Sequence, residues 1–132
     1  MLSIQMKLIG GLLASLLFLG VCFAGEPEFK IAVASNGQEE SDQVSMEAGR
    51  ALYYLIFDKA GSLLETSANP YVDVAGGAGG STADFLAEKK VSVVIAGRFG
   101  SKMAAALEAA NIKYLAKQGI VIDVIKGVEH VK

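Results

Sequence analysis

The sequence predicts an α/β fold: a single domain with a mixed five-stranded sheet flanked by helices. Three observations carry that prediction. Short runs rich in β-branched and aromatic residues recur along the chain. The later ones alternate with helix-forming stretches. The chain is 132 residues long, enough for one domain and too short for two ordinary ones. Three strands followed by helix, strand, helix, strand require a hairpin first and right-handed parallel crossovers afterwards, and so a mixed sheet.

Residues 29–35, FKIAVAS, alternate well enough for a first strand and include the β-branched Ile31 and Val33. The polar stretch NGQEESDQ is a loop. Residues 51–58, ALYYLIFD, make the second strand. DKAGS is a turn in which Gly61 accepts a positive φ. Residues 63–68, LLETSA, make the third strand and close a hairpin that ends at Asn69-Pro70. ADFLAEKK, residues 83–90, reads as a helix. VSVVIA, residues 91–96, has Ser92 as its sole polar residue and reads as a fourth strand buried on both faces. KMAAALEAAN, residues 102–111, is a second helix with Met103, Leu107 and Ala110 on one face, and IKYLA, residues 112–116, is a fifth strand. The tail IVIDVIKGVEHVK has strand-favouring β-branched content. Its spacing of Val121, Val124, Ile125 and Val128 nevertheless fits a helix, which is the preferred reading.

Residues 1–24 stand apart. Lys7, an apolar run over residues 8–21, and Cys22-Phe23-Ala24 with small residues at −3 and −1 have the layout of a secretory signal peptide. The run is short for a spanning helix, which needs about 20 residues; an uncleaved membrane anchor is the alternative. Cleavage after Ala24 leaves a domain of residues 25–132, periplasmic or secreted, with no stable membrane insertion. Cys22 leaves with the signal, so the mature chain has neither a disulfide framework nor a thiolate metal site. With Lys7 gone, 11 basic and 14 acidic side chains remain, a balance that argues against a general nucleic-acid binder.

Two glycine loops carry the functional signal. Gly76, Gly77, Gly79 and Gly80 precede the first helix, and Gly97 and Gly100 flank Arg98 before the second. Glycine lets backbone N–H groups face a ligand. The first turn of a helix offers unpaired N–H groups and partial positive charge, and the combination suits an anion. Ser81 is expected to cap the first helix, with Asp84 three residues on using part of its positive end. Ser101 is expected to cap the second, where Ala104 holds the matching position, no acid is near, and Arg98 and Lys102 add charge. The second helix start is therefore the better anion site. Its edge would be Gly97, Arg98, Gly100, Ser101 and Arg50, with Arg98 the main side-chain contact and Gly77 and Gly79 on the neighbouring loop. The competing reading is that the glycines close tight turns and Arg98 pairs with a surface carboxylate. Neither loop matches GxxxxGK[ST].

The motif order is KIAVAS, then AGRA before an aromatic-rich strand, NP before a glycine loop, VVIAGRFG, a helix, and NIKYL. Over nearly all of residues 29–128 it resembles the dinitrogenase iron–molybdenum cofactor biosynthesis domain. The resemblance implies a ribonuclease-H-like α/β fold and a non-catalytic role. The better-known members carry anionic metal–sulfur clusters in nitrogenase cofactor assembly and pass them on. It implies an iron–molybdenum–sulfur or thiomolybdate-type cluster as cargo. The family's histidine-phenylalanine pair before GRA is Glu47-Ala48 here, its histidine-bearing glycine loop reads YVDVAGGAGG, and the one histidine of the chain is His130. Soft ligands for a cluster are thus missing. The expected function is an exported, non-catalytic carrier of an anionic small ligand or metal cluster. The alternative is an accessory interaction domain for a periplasmic redox or metal protein, with no cluster of its own. An enzyme is disfavoured. FKIAVAS and VSVVIA carry no carboxylate for a two-metal site, and a lone tail histidine completes no nucleophile–base set.

Overall fold

A computed structural model describes residues 28–128. Residues 1–24, on which the signal-peptide expectation rests, and with them Cys22, lie outside the described residues, as does His130. The elements are β1 (Lys30–Ser35), β2 (Tyr53–Asp58), β3 (Leu63–Ala68), α1 (Ala78–Glu88), β4 (Val93–Ala96), α2 (Ser101–Ala109), β5 (Lys113–Ala116) and α3 (Val121–Gly127). The sheet order is β3-β2-β1-β4-β5. Its β1–β2 and β2–β3 pairs are antiparallel, and its β1–β4 and β4–β5 pairs are parallel. This is the mixed five-stranded sheet expected from the element order. The tail is helical, as its spacing indicated.

Alternation along the central strands sorts the core into two layers. Ala32, Ala34, Tyr54, Ile56, Val94 and Ala96 face α1 and α2, where they meet Ala83, Leu86, Met103 and Leu107. Ile31, Val33, Leu55, Phe57, Val93 and Ile95 face α3 and pack on Val121, Val124 and Ile125. The alanines on the first face let the helices sit close to the sheet. Among the described residues, no helix is long and apolar enough to cross a membrane.

Both long helices run opposite to β4, so both start at its carboxyl end. They also finish alike. Lys90 (φ 59°) and Asn111 (φ 61°) take left-handed conformations just past the helix ends. Val91 N–H donates to Leu86 O at 3.3 Å and Ile112 N–H to Leu107 O at 2.9 Å, while Lys90 and Asn111 close the shorter loop to Ala87 and Glu108. These are paired Schellman ends, normally led by glycine. Asparagine tolerates the left-handed region; lysine carries its full Cβ strain. Lys90→Gly should therefore raise stability by about 1 kcal/mol, and Asn111→Gly by less, as read from the midpoint of chemical unfolding. An unchanged or lowered midpoint for Lys90→Gly would show that the strain is not there.

The expected helix starts need correction. α1 begins at Ala78, inside the glycine loop, with Gly77 at its cap in the left-handed region (φ 76°). Ser81 lies in the first turn and makes no capping bond, and the first turn holds no acid, because Asp84 sits one turn further on. At α2 the cap is Gly100, and Ser101 is the first helical residue, again with no side-chain cap. Packing overrode propensity here. A Cβ at Gly79 would lie 2.9 Å from that of Met103, so a helix through the glycines lets α1 press against α2.

Candidate functional site

The site forms outside the carboxyl ends of β1 and β4, the usual ligand crevice of a parallel α/β arrangement. After β1 the chain loops out and returns beside the end of β4. Gly97 N–H donates to Ser45 O at 2.8 Å, Arg98 N–H to Met46 O at 2.8 Å, and Ala48 N–H to Arg98 O at 3.1 Å. Gly97 is required by this approach, since a Cβ there would lie 2.7 Å from Met46 Cα.

Buried polar groups fix the loop that follows. The Tyr54 hydroxyl donates to Ala48 O at 2.6 Å, and burial pushes its phenol far above its ordinary range, so it remains a neutral donor. Asn69 Nδ2 donates to Gly49 O at 3.2 Å and to Ala51 O at 3.0 Å. Thr82 Oγ1, from α1, donates to Gly49 O at 2.9 Å. The carbonyls on both sides of Arg50 are thereby held. Its guanidinium donates in turn to Val72 O at 2.8 Å and Val74 O at 3.0 Å.

These supports leave a cleft of about 330 Å³ between the two helix starts, lined by Glu47, Gly49, Arg50, Gly77, Ala78, Gly79, Gly100, Ser101, Lys102 and Met103. The first N–H that α1 satisfies within its own helix is that of Ser81, to Gly77 O at 3.0 Å, and the corresponding N–H of α2 is that of Ala104, to Gly100 O at 2.9 Å. The N–H groups before these, three on each helix, have no acceptor within the helix. No atom lies within 4 Å of where a Cβ would stand at Gly77 or Gly100. Gly100 has an extended backbone, φ −71° and ψ 158°, that any residue adopts. Neither strain nor neighbours within the fold account for that glycine.

Of the residues singled out from sequence, Arg50, Gly77, Gly79, Gly100 and Ser101 meet at this cleft. Gly97 and Arg98 do not line it. The expectation that no acid lies near the second helix start is corrected, and the competing reading, Arg98 paired with a surface carboxylate, is the arrangement found. The return loop brings Glu47, 51 residues away in sequence, against it, and Glu47 Oε2 accepts from both Nε (3.1 Å) and Nη2 of Arg98. This bonding raises the guanidinium pKa above its usual range. Glu47 stood out only as the residue at the family's histidine position; its pairing with Arg98 had no signal in the sequence, because nothing local links a loop residue to a partner on another strand end. The preference for the second helix start over the first also goes, since neither first turn contains an acid.

A larger cleft, about 710 Å³, opens at the opposite end of the sheet, lined by residues such as Phe29, Val91, Ile112 and Leu115 and by the helix ends at Lys90 and Asn111. Helix carboxyl ends repel anions, so for an anionic ligand the smaller cleft, at the helix starts, is the candidate. The described residues contain neither cysteine nor histidine and no group of three or more acidic, cysteine or histidine side chains that could hold a metal ion. What the small cleft offers is N–H donors, two helix dipoles and the cations Arg50 and Lys102, with one carboxylate, Glu47, on its wall.

Residues 29–130 match the family model described as dinitrogenase iron–molybdenum cofactor. Among solved structures the chain is similar to the apo form of the orange protein from Desulfovibrio gigas, with 29% identity, a TM-score of 0.71, and coverage of 75% of this chain and 85% of that one. It is also similar to an NMR structure of a Thermotoga protein classed with NifB and the DUF35 family, with 28% identity, a TM-score of 0.67, and coverage of 77% and 88%. No curated protein matches the chain.

Proposed function

The chain belongs to the dinitrogenase iron–molybdenum cofactor family, and from that premise we propose that it is a non-catalytic carrier that holds an anionic metal cluster or oxyanion at its paired helix starts. The observation that carries this reading is the convergence of two acid-free helix N-termini and Arg50 on one cleft, with open space at Gly77 and Gly100. A relative described in an apo form fits a domain whose cargo comes and goes. The described residues do not fit ligation of a cluster through thiolate or imidazole. They fit recognition of its anionic surface: N–H groups and a guanidinium donate to oxo or sulfido atoms. We place the mature domain in the periplasm or outside the cell, on the layout of residues 1–24; intact mass of the native protein should correspond to a start at Gly25. A docking role beside a redox or metal protein is a second reading. Met46 and Leu52 favour it, being 48% and 51% exposed on either side of the Arg50 loop.

The test is a titration of the domain with molybdate, tungstate and tetrathiomolybdate, followed through the amide chemical shifts of residues 77–80 and 100–103. Both helix starts should respond together. Arg50→Ala should weaken binding about tenfold or more, the worth of one charged hydrogen bond, while the shift pattern of the core strands stays unchanged. If the amides of neither loop move with any of the three anions at millimolar concentration, the glycines serve the fold alone and the reading fails.

A further inference from the structure

We propose that Glu47 is a built-in competitor of the bound anion, lowering its affinity in proportion to the anion's charge. The inference rests on the anion-binding reading above. Glu47 stands on the wall of the cleft, and its Oε2 takes two donors of Arg98. The backbones beneath are clamped, because Arg98 N–H donates to Met46 O and Ala48 N–H to Arg98 O, which brackets Glu47 on both sides. The two side chains therefore stay within reach of each other whatever the cleft contains. Both are open to water, at 68% and 54% side-chain exposure for Arg98 and Glu47, and an exposed pair of this kind holds together weakly. Its bonds are exchangeable. An anion in the cleft feels the Glu47 charge directly, and Arg98, bonded to Glu47 but not on the cleft wall, offsets part of that charge. For a carrier this has a use: a cluster bound by helix ends and cations alone is hard to give up, and a resident carboxylate on the wall eases its release.

Replacing Glu47 by Gln removes the competing charge and frees Arg98 without touching the backbone bonds. Perrhenate and molybdate make the test, since they are tetrahedral oxyanions of like shape carrying one and two negative charges. A unit charge a few ångströms away in water-exposed surroundings changes a monoanion's affinity about threefold and a dianion's about tenfold. Glu47→Gln should thus bind perrhenate about threefold and molybdate about tenfold more tightly at low salt, with both gains shrinking as ionic strength rises. Arg98→Gln, which leaves Glu47 uncompensated, should weaken both anions in the same ratio. The double variant should return close to wild-type affinity, since the two charges act through one another. Equal gains for the two anions, or affinities unchanged by Glu47→Gln, would overturn the proposal while leaving the anion site standing. If neither anion moves the 77–80 and 100–103 amides in any variant, the anion-binding reading itself fails, and this inference with it.

Discussion

Gly97→Ala should cost about 2–3 kcal/mol of stability, which for a domain of this size lowers the unfolding midpoint by roughly 10–20 °C. The added Cβ would lie 2.6 Å from Met46 Sδ, 2.7 Å from Met46 Cα and 3.0 Å from Met46 O. The sulfur is the end of a flexible side chain and can swing away. The Cα and the carbonyl cannot, because Met46 O accepts from Arg98 N–H and the neighbouring Ser45 O accepts from Gly97 N–H itself. Making room for one methyl group means parting the return loop from the end of β4, and those ladder bonds stretch or break with it. The loop also carries the Tyr54 and Asn69 supports of Arg50, so the surviving folded protein should bind molybdate less well. Gly100→Ala is the control. Nothing lies within 4 Å of its Cβ position and its backbone is extended, so stability should hold while a methyl group enters the cleft and binding drops. Thermal unfolding of the two variants side by side is the measurement. A Gly97→Ala protein as stable as wild type would mean that the two segments do not lie this close.

These two glycines flank one arginine, and they show where sequence reading stops. The strands were legible because their signals are local: β3 occupies residues 63–68, the span read for LLETSA, and the β2–β3 turn announces itself in DKAGS. The helical tail was legible because Val121, Val124 and Ile125 recur at helical spacing, and all three are buried against the sheet. The glycine loops were legible as unusual, and Arg50, Gly77, Gly79, Gly100 and Ser101 lie around one cleft. The reason for each glycine was not legible. Gly97 clears Met46, Gly79 admits Met103, Gly77 adopts a left-handed cap, and Gly100 fronts open space. All four look the same in a sequence, because a missing side chain carries no mark of what it makes room for. Propensity likewise placed the start of α1 too late, since glycine disfavours helix locally by about 1 kcal/mol and the compensating contact with α2 is made by a residue 24 positions away. The Glu47–Arg98 pair was hidden for the same reason: it depends on a loop folding back across the sheet end.

The second large effect is expected at Asn69, which is 5% exposed. Asn69→Ala should cost about 2–4 kcal/mol, from several buried hydrogen bonds lost and partners left unsatisfied. Every polar group of its amide is engaged. Nδ2 donates to Gly49 O and Ala51 O, and Oδ1 accepts from Tyr71 N–H at 3.0 Å, with the Thr82 hydroxyl, which gives its one proton to Gly49 O, standing 3.4 Å away. One side chain thus ties the Arg50 loop to the turn after β3, beside the Thr82 hydroxyl of α1. In the alanine variant Gly49 O retains the Thr82 hydroxyl, so Ala51 O and Tyr71 N–H bear most of the loss. Asn69→Asp separates hydrogen bonding from shape. It keeps the volume and the acceptor toward Tyr71, but puts an acceptor where two carbonyls need a donor. It should therefore be at least as unstable as the alanine variant, and its deficit should shrink as the carboxyl protonates at low pH and regains a donor. Stability of both variants by chemical unfolding, at neutral and at acid pH, decides the matter. If Asn69→Asp matches the wild type at neutral pH, the two carbonyls flanking Arg50 are not held by this amide. Their orientation, and with it the placement of Arg50 at the cleft, would then have to come from Thr82 and Tyr54 alone.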